Sequence, residues 1–314
     1  MPTGKTVSGI EPSFPILKEN AKPGETLKRC LKVIYSFSTV VRDHYSGTNS
    51  GKAAQLIEKI EEGLKGKVSV DGLGPVDEFH IGGRLATINL MDQIGIRSND
   101  NVLDLGCGLG GAARFAAANY GCNVNGIDLT PEFVDVGNYL NTKLGLDDRV
   151  TLSYGNVLNL KSLSSNIKEY DHAYMMHVGM NIKDKKLLFQ EASSKLRKGA
   201  KFGIYDIMYF DSETKLDFPV PWASSMETSA CSTIDFYQHS LEAAGLEIIA
   251  VNNRHKFAIE FFDRVRKLQS QEDYSPPSLG LHLIMDSFQE KMKNMIANVN
   301  EERIAPIEII AVKT

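Results

Sequence analysis

The sequence predicts an α/β protein: a mostly parallel sheet with helices on both faces and a helical cap at the N-terminal end. Two observations carry this. From residue 101 onward, short apolar runs alternate with segments of helical period, the pattern of a parallel sheet covered on both sides. The first of these units holds "VLDLGCGLGGAARFAA" (102–117), a buried run ending in Asp104 and followed by four glycines within six residues. Such a loop, at the carboxyl end of a strand in an open sheet, is where ligands bind.

Taken in order, residues 1–20, with two prolines in "EPSFPIL", read as an extended arm. "ETLKRCLKVIYSFSTVVRDHY" (25–45) reads as a helix with Leu27, Leu31, Ile34 and Val41 on one side, and "GKAAQLIEKIEEGLKG" (51–66) as a clearer amphipathic one. "GPVDEFHIGG" (74–83) breaks the helical pattern before the helix "RLATINLMDQIG". Strands follow at "NVLDLG", "NVNGIDL", "RVTLSYGNV", "YDHAYMMHV" and "AKFGIYDIMYF", with helices between them; Pro131 opens one of these. After residue 210 the alternation lapses into an irregular insertion, then resumes with the helix "IDFYQHSLEAAG" and the strand "LEIIAVNN". Residues 256–298 read as mostly helical, interrupted at "YSPPS", before a last strand "IAPIEIIAVK". The division expected is an N-terminal arm and helical cap over 1–75 and one α/β domain over 76–314, with lids at about 211–232 and 256–300.

The 314 residues are 42% hydrophobic and 24% charged, enough for a sizeable core. A net charge of -4 gives no basic field for nucleic acid or anionic lipid. Cys30, Cys107, Cys122 and Cys231 are scattered, with no C-x-x-C pair, which argues against a metal site and for reduced thiols. No apolar run has signal-peptide or bilayer-spanning character, so a cytoplasmic protein without membrane partners is expected.

Two ligands fit the glycine loop. Gly106, Gly108 and Gly111 have the G-x-G-x-x-G spacing of a dinucleotide site, whereas Asp104-x-Gly106-x-Gly108-x-Gly110 has that of a methyl-donor site. Asp104 tips the balance. A carboxylate there repels a pyrophosphate and attracts the methionyl ammonium of S-adenosylmethionine. Asp128, at the end of the second strand, stands where ribose hydroxyls are gripped, a feature both ligands share. Asn156, after "SYG", is placed for an adenine edge, or is a turn residue.

With "VLDLGCGLGG", "NGIDLT", "YGNVLNL", "YDHAYMMHV" and "LRKGAKFGIYDI" in this order, the chain resembles the class I S-adenosylmethionine-dependent methyltransferases over residues 80–210. The resemblance implies a Rossmann-like seven-stranded sheet whose last strand inserts antiparallel. It also implies Asp104, Gly106, Gly108, Asp128 and Asn156 as cofactor residues, with Cys107, Leu129, Val157 and His177 beside them. "GGAARFAA", "FHIGG" and "FQEKMKNMI" are similar to the small-molecule branch that holds the sarcosine/dimethylglycine N-methyltransferases; the longer N-terminal region departs from it.

Methyl transfer from a sulfonium needs alignment and water exclusion, and a base only where the acceptor must lose a proton. His177, closing the fourth strand, is the base expected, or else a pocket-wall histidine. His80 in "DEFHIGG" is expected in a lid or cofactor contact, and His172 to be buried and satisfied. Asn181 orients substrate or, more simply, caps the next helix. Trp222 offers a cation–π face or ordinary packing, and Tyr35, Phe37 and Tyr45 carry the same ambiguity. Arg84 and Arg254 are expected as clamps for a substrate carboxylate, and Arg114 as a structural ion-pair partner. The expected reaction is methylation of a small-molecule amine, with S-adenosylhomocysteine as product. The alternatives are O- or C-methylation, a macromolecular acceptor, a non-catalytic nucleoside-binding module and a dehydrogenase. The N-terminal helices serve as a lid or as a homodimer surface.

Overall fold

The computed structural model describes residues 37–45, 52–66, 68–162 and 166–314. The expected arm over 1–20, and Leu27, Cys30, Leu31, Ile34 and Tyr35, lie outside the described residues. Residues 37–45 are helical (α1) and carry Val41. Then come α2 (Lys52–Leu64), α3 (Val70–Asp77), α4 (Arg84–Ile94), β1 (Asn101–Leu105), α5 (Gly111–Tyr120), β2 (Asn123–Asp128), α6 (Pro131–Leu144), β3 (Val150–Tyr154) and β4 (Tyr170–Met176). The chain continues through α7 (Lys185–Ser194), β5 (Leu196–Tyr209), β6 (Ser232–Thr233), α8 (Ile234–Glu242), β7 (Leu246–Asn253), α9 (His255–Gln269), α10 (Phe288–Asn300) and β8 (Ile304–Lys313).

The sheet runs β3-β2-β1-β4-β5-β8-β7, with the two-residue β6 beside β5. The pairs among β1 to β5 are parallel, while β8 is antiparallel to both β5 and β7. This is the Rossmann-like sheet that the resemblance implies, and the antiparallel insertion of the last strand is borne out. Strand order reverses at β1, which lies between β2 and β4, so a crevice opens above its carboxyl end.

One segment departs from the sequence reading. Gly74 and Pro75 were expected to break the helical pattern, yet both lie inside α3. The Ser69 hydroxyl caps it by accepting from the Gly72 N–H, and Leu73 and Val76 are fully buried. Burial of that face outweighs the poor propensity of a glycine and a proline.

Among the described residues, the core has four apolar clusters. Leu103, Met175, Phe189 and Phe202 fill one side of the sheet under α7 and α8. Leu90, Ala113, Ala116 and Tyr205 fill the other under α4 and α5. A third cluster joins Ile60 of α2 to Leu73, Val136 and Leu140. The fourth stands over the carboxyl end of β5 and joins Trp222, Phe262 and Met295 to Ile207 and Ile304. Among the described residues, no helix is long and apolar enough to cross a membrane.

Candidate active site

A cavity of about 1480 Å3 opens above β1 and runs to α9 and α10. Its inner end is walled by Gly106, Gly108, Asp128, Leu129, Asn156, Val157 and His177. His80, Arg84, Asn181 and Trp222 also reach the wall. Asp104, Cys107 and Arg254 do not.

The glycine loop is shaped as much by the protein behind it as by space in front. Gly106 has φ +79° and Gly108 φ +53°, the left-handed region that glycine tolerates. A Cβ on Gly106 would lie 2.5 Å from Val178, and one on Gly111 would run into the Asp77 carbonyl oxygen. The third glycine of the dinucleotide pattern therefore serves the packing of α5 against α3. Asp77 also anchors Arg114, whose guanidinium is fully buried, lies 2.8 Å from the carboxylate, and donates to Gly137 O and Asn141 Oδ1. This is the structural ion pair expected of Arg114. Breaking a buried pair of this kind costs about 3–5 kcal/mol.

Asp104 lies beneath the loop, 3% exposed, and its carboxylate accepts from the Tyr174 hydroxyl at 2.9 Å. Burial pushes it up to about 8 against the pull of that hydrogen bond. The Cys107 thiol is held well above its ordinary value by burial, with Asp104 and Asp128 adding to it, and is an unreactive packing group. Asp128 takes the Gly108 N–H at 2.8 Å and the Thr130 N–H at 2.9 Å, which fixes both carboxylate oxygens at the cavity wall that Asp128 lines. Asn156 uses its Oδ1 on the Leu158 N–H and its Nδ2 on Ser38 Oγ, so it is a turn residue that also faces the cavity.

Above the loop, "DEFHIGG" folds into a buried polar cluster. His80 Nε2 lies 3.0 Å from Glu78 Oε2, 3.0 Å from Thr87 Oγ1 and 3.1 Å from the Gly83 carbonyl. Arg84 Nε pairs with Glu78 at 3.1 Å, its Nη2 donates to Val70 O, and its guanidinium lies over the Phe115 ring. Burial pushes the Glu78 carboxyl up, but hydrogen bonds and charge from His80, Arg84 and Thr87 hold it below the usual carboxylate range. Glu78 Oε1 and Arg84 Nη1 have no hydrogen-bond partner although buried. Glu78 Oε1 is ion-paired with Arg84 Nε, so Arg84 Nη1 is the group of this pair left to meet an anionic ligand group.

His177 closes β4 with φ +55°, a strained conformation for a residue with a side chain. Its ring stacks on Tyr205 at 5.4 Å and meets His80 edge-on at 6.0 Å. Its Nε2 is buried and unpartnered. Burial, with His80 adding to it, holds the imidazole well below its ordinary value, so it is neutral. His172 lies away from this site, accepting from the Lys201 N–H at its Nδ1.

Two assignments need correction. Arg254 is not a clamp in the cavity; it is the N-cap residue of α9, with its guanidinium 5.1 Å from the centre of the Phe257 ring. Asn181 does not cap α7, because Asp184 does so by accepting from Leu187 N. Asn181 instead meets the Tyr45 hydroxyl in the wall. Trp222 is 2% exposed and donates its indole N–H to Ser229, which makes packing its main role.

Sequence reading missed Glu78 and Lys185. The Glu78-x-His80 spacing inside "DEFHIGG" was the available signal for the first. Lys185 had none. Its ammonium is buried and donates to the carbonyls of Gly179, Ile182 and Ala230 at 2.7–2.8 Å. It thereby ties the loop after His177 to the 211–232 insertion. Burial lowers it to about 8, against the opposing charge of Asp206.

The geometry describes a nucleoside-sized cleft leading into a second chamber. A family model described as "Methyltransferase domain" matches residues 96–263, more than half of the chain. The chain belongs to the methyltransferase-domain family. The dehydrogenase alternative falls with that match. A curated relative of this methyltransferase is the sarcosine/dimethylglycine N-methyltransferase of Aphanothece halophytica, 24% identical over 56% of this chain and 62% of the relative. Among solved structures, phosphoethanolamine N-methyltransferase 2 of Haemonchus contortus in complex with S-adenosyl-L-methionine aligns with TM-score 0.64 at 20% identity. It covers 87% of this chain and 60% of that one. Geranyl diphosphate C-methyltransferase of Streptomyces coelicolor A3(2), in complex with Mg2+, geranyl-S-thiolodiphosphate and S-adenosyl-L-homocysteine, aligns with TM-score 0.63 at 18% identity. It covers 88% of this chain and 98% of that one. The chain thus spans about three fifths of the two N-methyltransferases and nearly all of the C-methyltransferase. Neighbours of this fold hold the donor and its product, and they methylate different atoms.

Proposed function

We propose that the protein transfers a methyl group from S-adenosylmethionine to the nitrogen of a small-molecule amine. When bound, the donor supplies an electrophilic methyl on a sulfonium. The residues present fit it. Asp128 and Leu129 would face the ribose and Asn156 and Val157 the base, while Arg84 Nη1, which has no hydrogen-bond partner, suits the carboxylate of the amino-acid end.

The observation that carries the nitrogen reading is the state of His177. The half-buried His177 has its Nε2 buried and unpartnered, and burial lowers its affinity for a proton, which makes it a poor base for a hydroxyl that must lose its proton as the bond forms. An amine that arrives as the free base needs no such help. The apolar wall favours that form, because burial disfavours an ammonium. His177 Nε2 is left to accept a hydrogen bond from the amine N–H and orient its lone pair. The test is a screen of amines, alcohols and activated carbons with labelled donor, read by mass spectrometry. Methylation of alcohols alone would overturn the nitrogen assignment. Absence of S-adenosylhomocysteine binding by calorimetry would overturn the donor.

A further inference from the structure

We propose that the acceptor is a large, mainly hydrocarbon molecule, seated in the chamber between α9, α10 and the 211–232 insertion with its reacting nitrogen at the His177 end. This rests on the methyl-transfer reading above and deepens it.

Size is the first observation. Pockets for drug-sized ligands run to about 300–1,000 Å3. This cavity holds about 1480 Å3, and a nucleoside donor takes only the end lined by the glycine loop.

The second observation is what lines the remainder. Trp222, Phe261, Phe262, Met285, Met292 and Met295 form the far wall. Methionine is unbranched and polarisable, so three of them make a surface that moulds to an irregular hydrocarbon. The wall is continuous with the reaction centre, because Ile81 and Met180 share one apolar cluster with Trp222, Phe262 and Met295.

Charge gives the third observation. The buried cation of that wall, Lys291, is spent on Asp286 at 2.6 Å. Arg84 holds Glu78 and Val70 with its Nε and Nη2, and its remaining Nη1 serves the amino-acid end of the donor; Arg254 lies outside the wall. Lys183, Arg266 and Lys293 also line the cavity, but all three are exposed and Arg266 pairs with Asp263 at 3.3 Å, so a compact amino-acid amine of the sarcosine type would bury its carboxylate at the His177 end without a free buried guanidinium. A hydrocarbon tail needs none.

The experiment uses the full chain saturated with S-adenosylhomocysteine. Calorimetric titrations compare n-butylamine, n-octylamine and n-decylamine, n-decanol, and sarcosine, all below their aggregation limits. The expected result is affinity rising by roughly fourfold per added methylene, with sarcosine weakest. Met292→Trp, which fills the chamber from a half-buried position, should weaken n-decylamine at least tenfold and leave S-adenosylhomocysteine affinity as it was. That retained affinity also shows the variant is folded. Decylamine binding no tighter than butylamine overturns the proposal, as does a chain-length dependence that survives in Met292→Trp. If decanol binds as tightly as decylamine with the same chain-length dependence, the chamber stands and the nitrogen reading falls. If S-adenosylhomocysteine does not bind, the methyl-transfer reading itself falls.

Discussion

The two ends of the cavity are built by different means. At the glycine-loop end the wall is backbone, fixed by left-handed glycines and by side chains packed hard behind them: Val178 behind Gly106, Leu152 and Arg114 behind Gly110, Asp77 behind Gly111. At the α9–α10 end the wall is side chain, and methionines and aromatics decide its shape. The first arrangement has one geometry and suits a ligand shared by many proteins. The second can be recut by single substitutions and suits a ligand particular to this one. The division teaches where identity of reaction and identity of substrate reside in this chain.

The largest effect should come from stiffening the inner end further. Gly106→Ala places an L-residue at φ +79° and pushes on Val178. The left-handed backbone costs ~1–2 kcal/mol and overpacking another ~1–3 kcal/mol. Denaturant unfolding should show about 2–5 kcal/mol lost, and S-adenosylhomocysteine affinity should fall at least ~10-fold. Unchanged values for both would show the backbone wall to be as adaptable as the side-chain wall.

Lys185, which ties the loop after His177 to the 211–232 insertion, should come next. Lys185→Met removes the donor shared by Gly179, Ile182 and Ala230 and leaves three carbonyls to find other partners. A loss of about 3 kcal/mol is expected. Turnover should fall more than donor affinity, because the loop it ties carries Met180 and Asn181 rather than the glycines. Equal losses in both, from single-turnover kinetics and calorimetry, would count against that separation.

Asp104 tests the inner end by pH. Its folded value, about 8, is raised above the unfolded one, so the folded state keeps a proton that the unfolded state releases. The stability it contributes is present at low pH and is lost as pH rises from the ordinary carboxylate range toward 8. The slope is ~1.4 kcal/mol per pH unit for one proton. Asp104→Asn should flatten that slope between pH 5 and 8 in denaturant melts. A cation bound over the loop draws the carboxyl back down, so donor binding near pH 7.5 should release protons in the wild type and not in the variant.

The sequence made the inner end legible because its constraints are local. A glycine must stand where φ is positive, an aspartate at a strand end must find N–H donors, and strand–helix alternation fixes which loop opens over β1. The N-terminal and outer parts were harder to read. Ser69 and the buried face of Leu73 and Val76 hold α3 through Gly74 and Pro75, which is tertiary information. Lys185 is separated in sequence from Ala230, and only the folded insertion brings them together. Arg254 looked like a clamp because its charge was visible and its direction was not. Asn181 lost its capping role to Asp184, a competitor three residues on.

The smallest effect in stability belongs to His177, where the two walls meet, and its sign is opposite to that of Asp104. The imidazole is held well below its ordinary value, so the unfolded chain takes up a proton near pH 6.5 that the folded chain refuses. The stability tied to this group is present above pH 6.5 and is lost as pH falls. The loss is about 1.4 kcal/mol by pH 5.5. His177→Gln keeps a polar side chain at the same place and cannot titrate. Its melts at pH 5.5 and 7.5 should therefore lie closer together than those of the wild type. Turnover should fall roughly 10- to 100-fold, since the hydrogen bond that orients the amine goes with the ring. An acid slope equal to the wild type's would mean that His177 is already solvated in the folded protein. Joined to unchanged turnover, it would make His177 part of the outer wall, and the boundary between the two regions would move inward to Gly106.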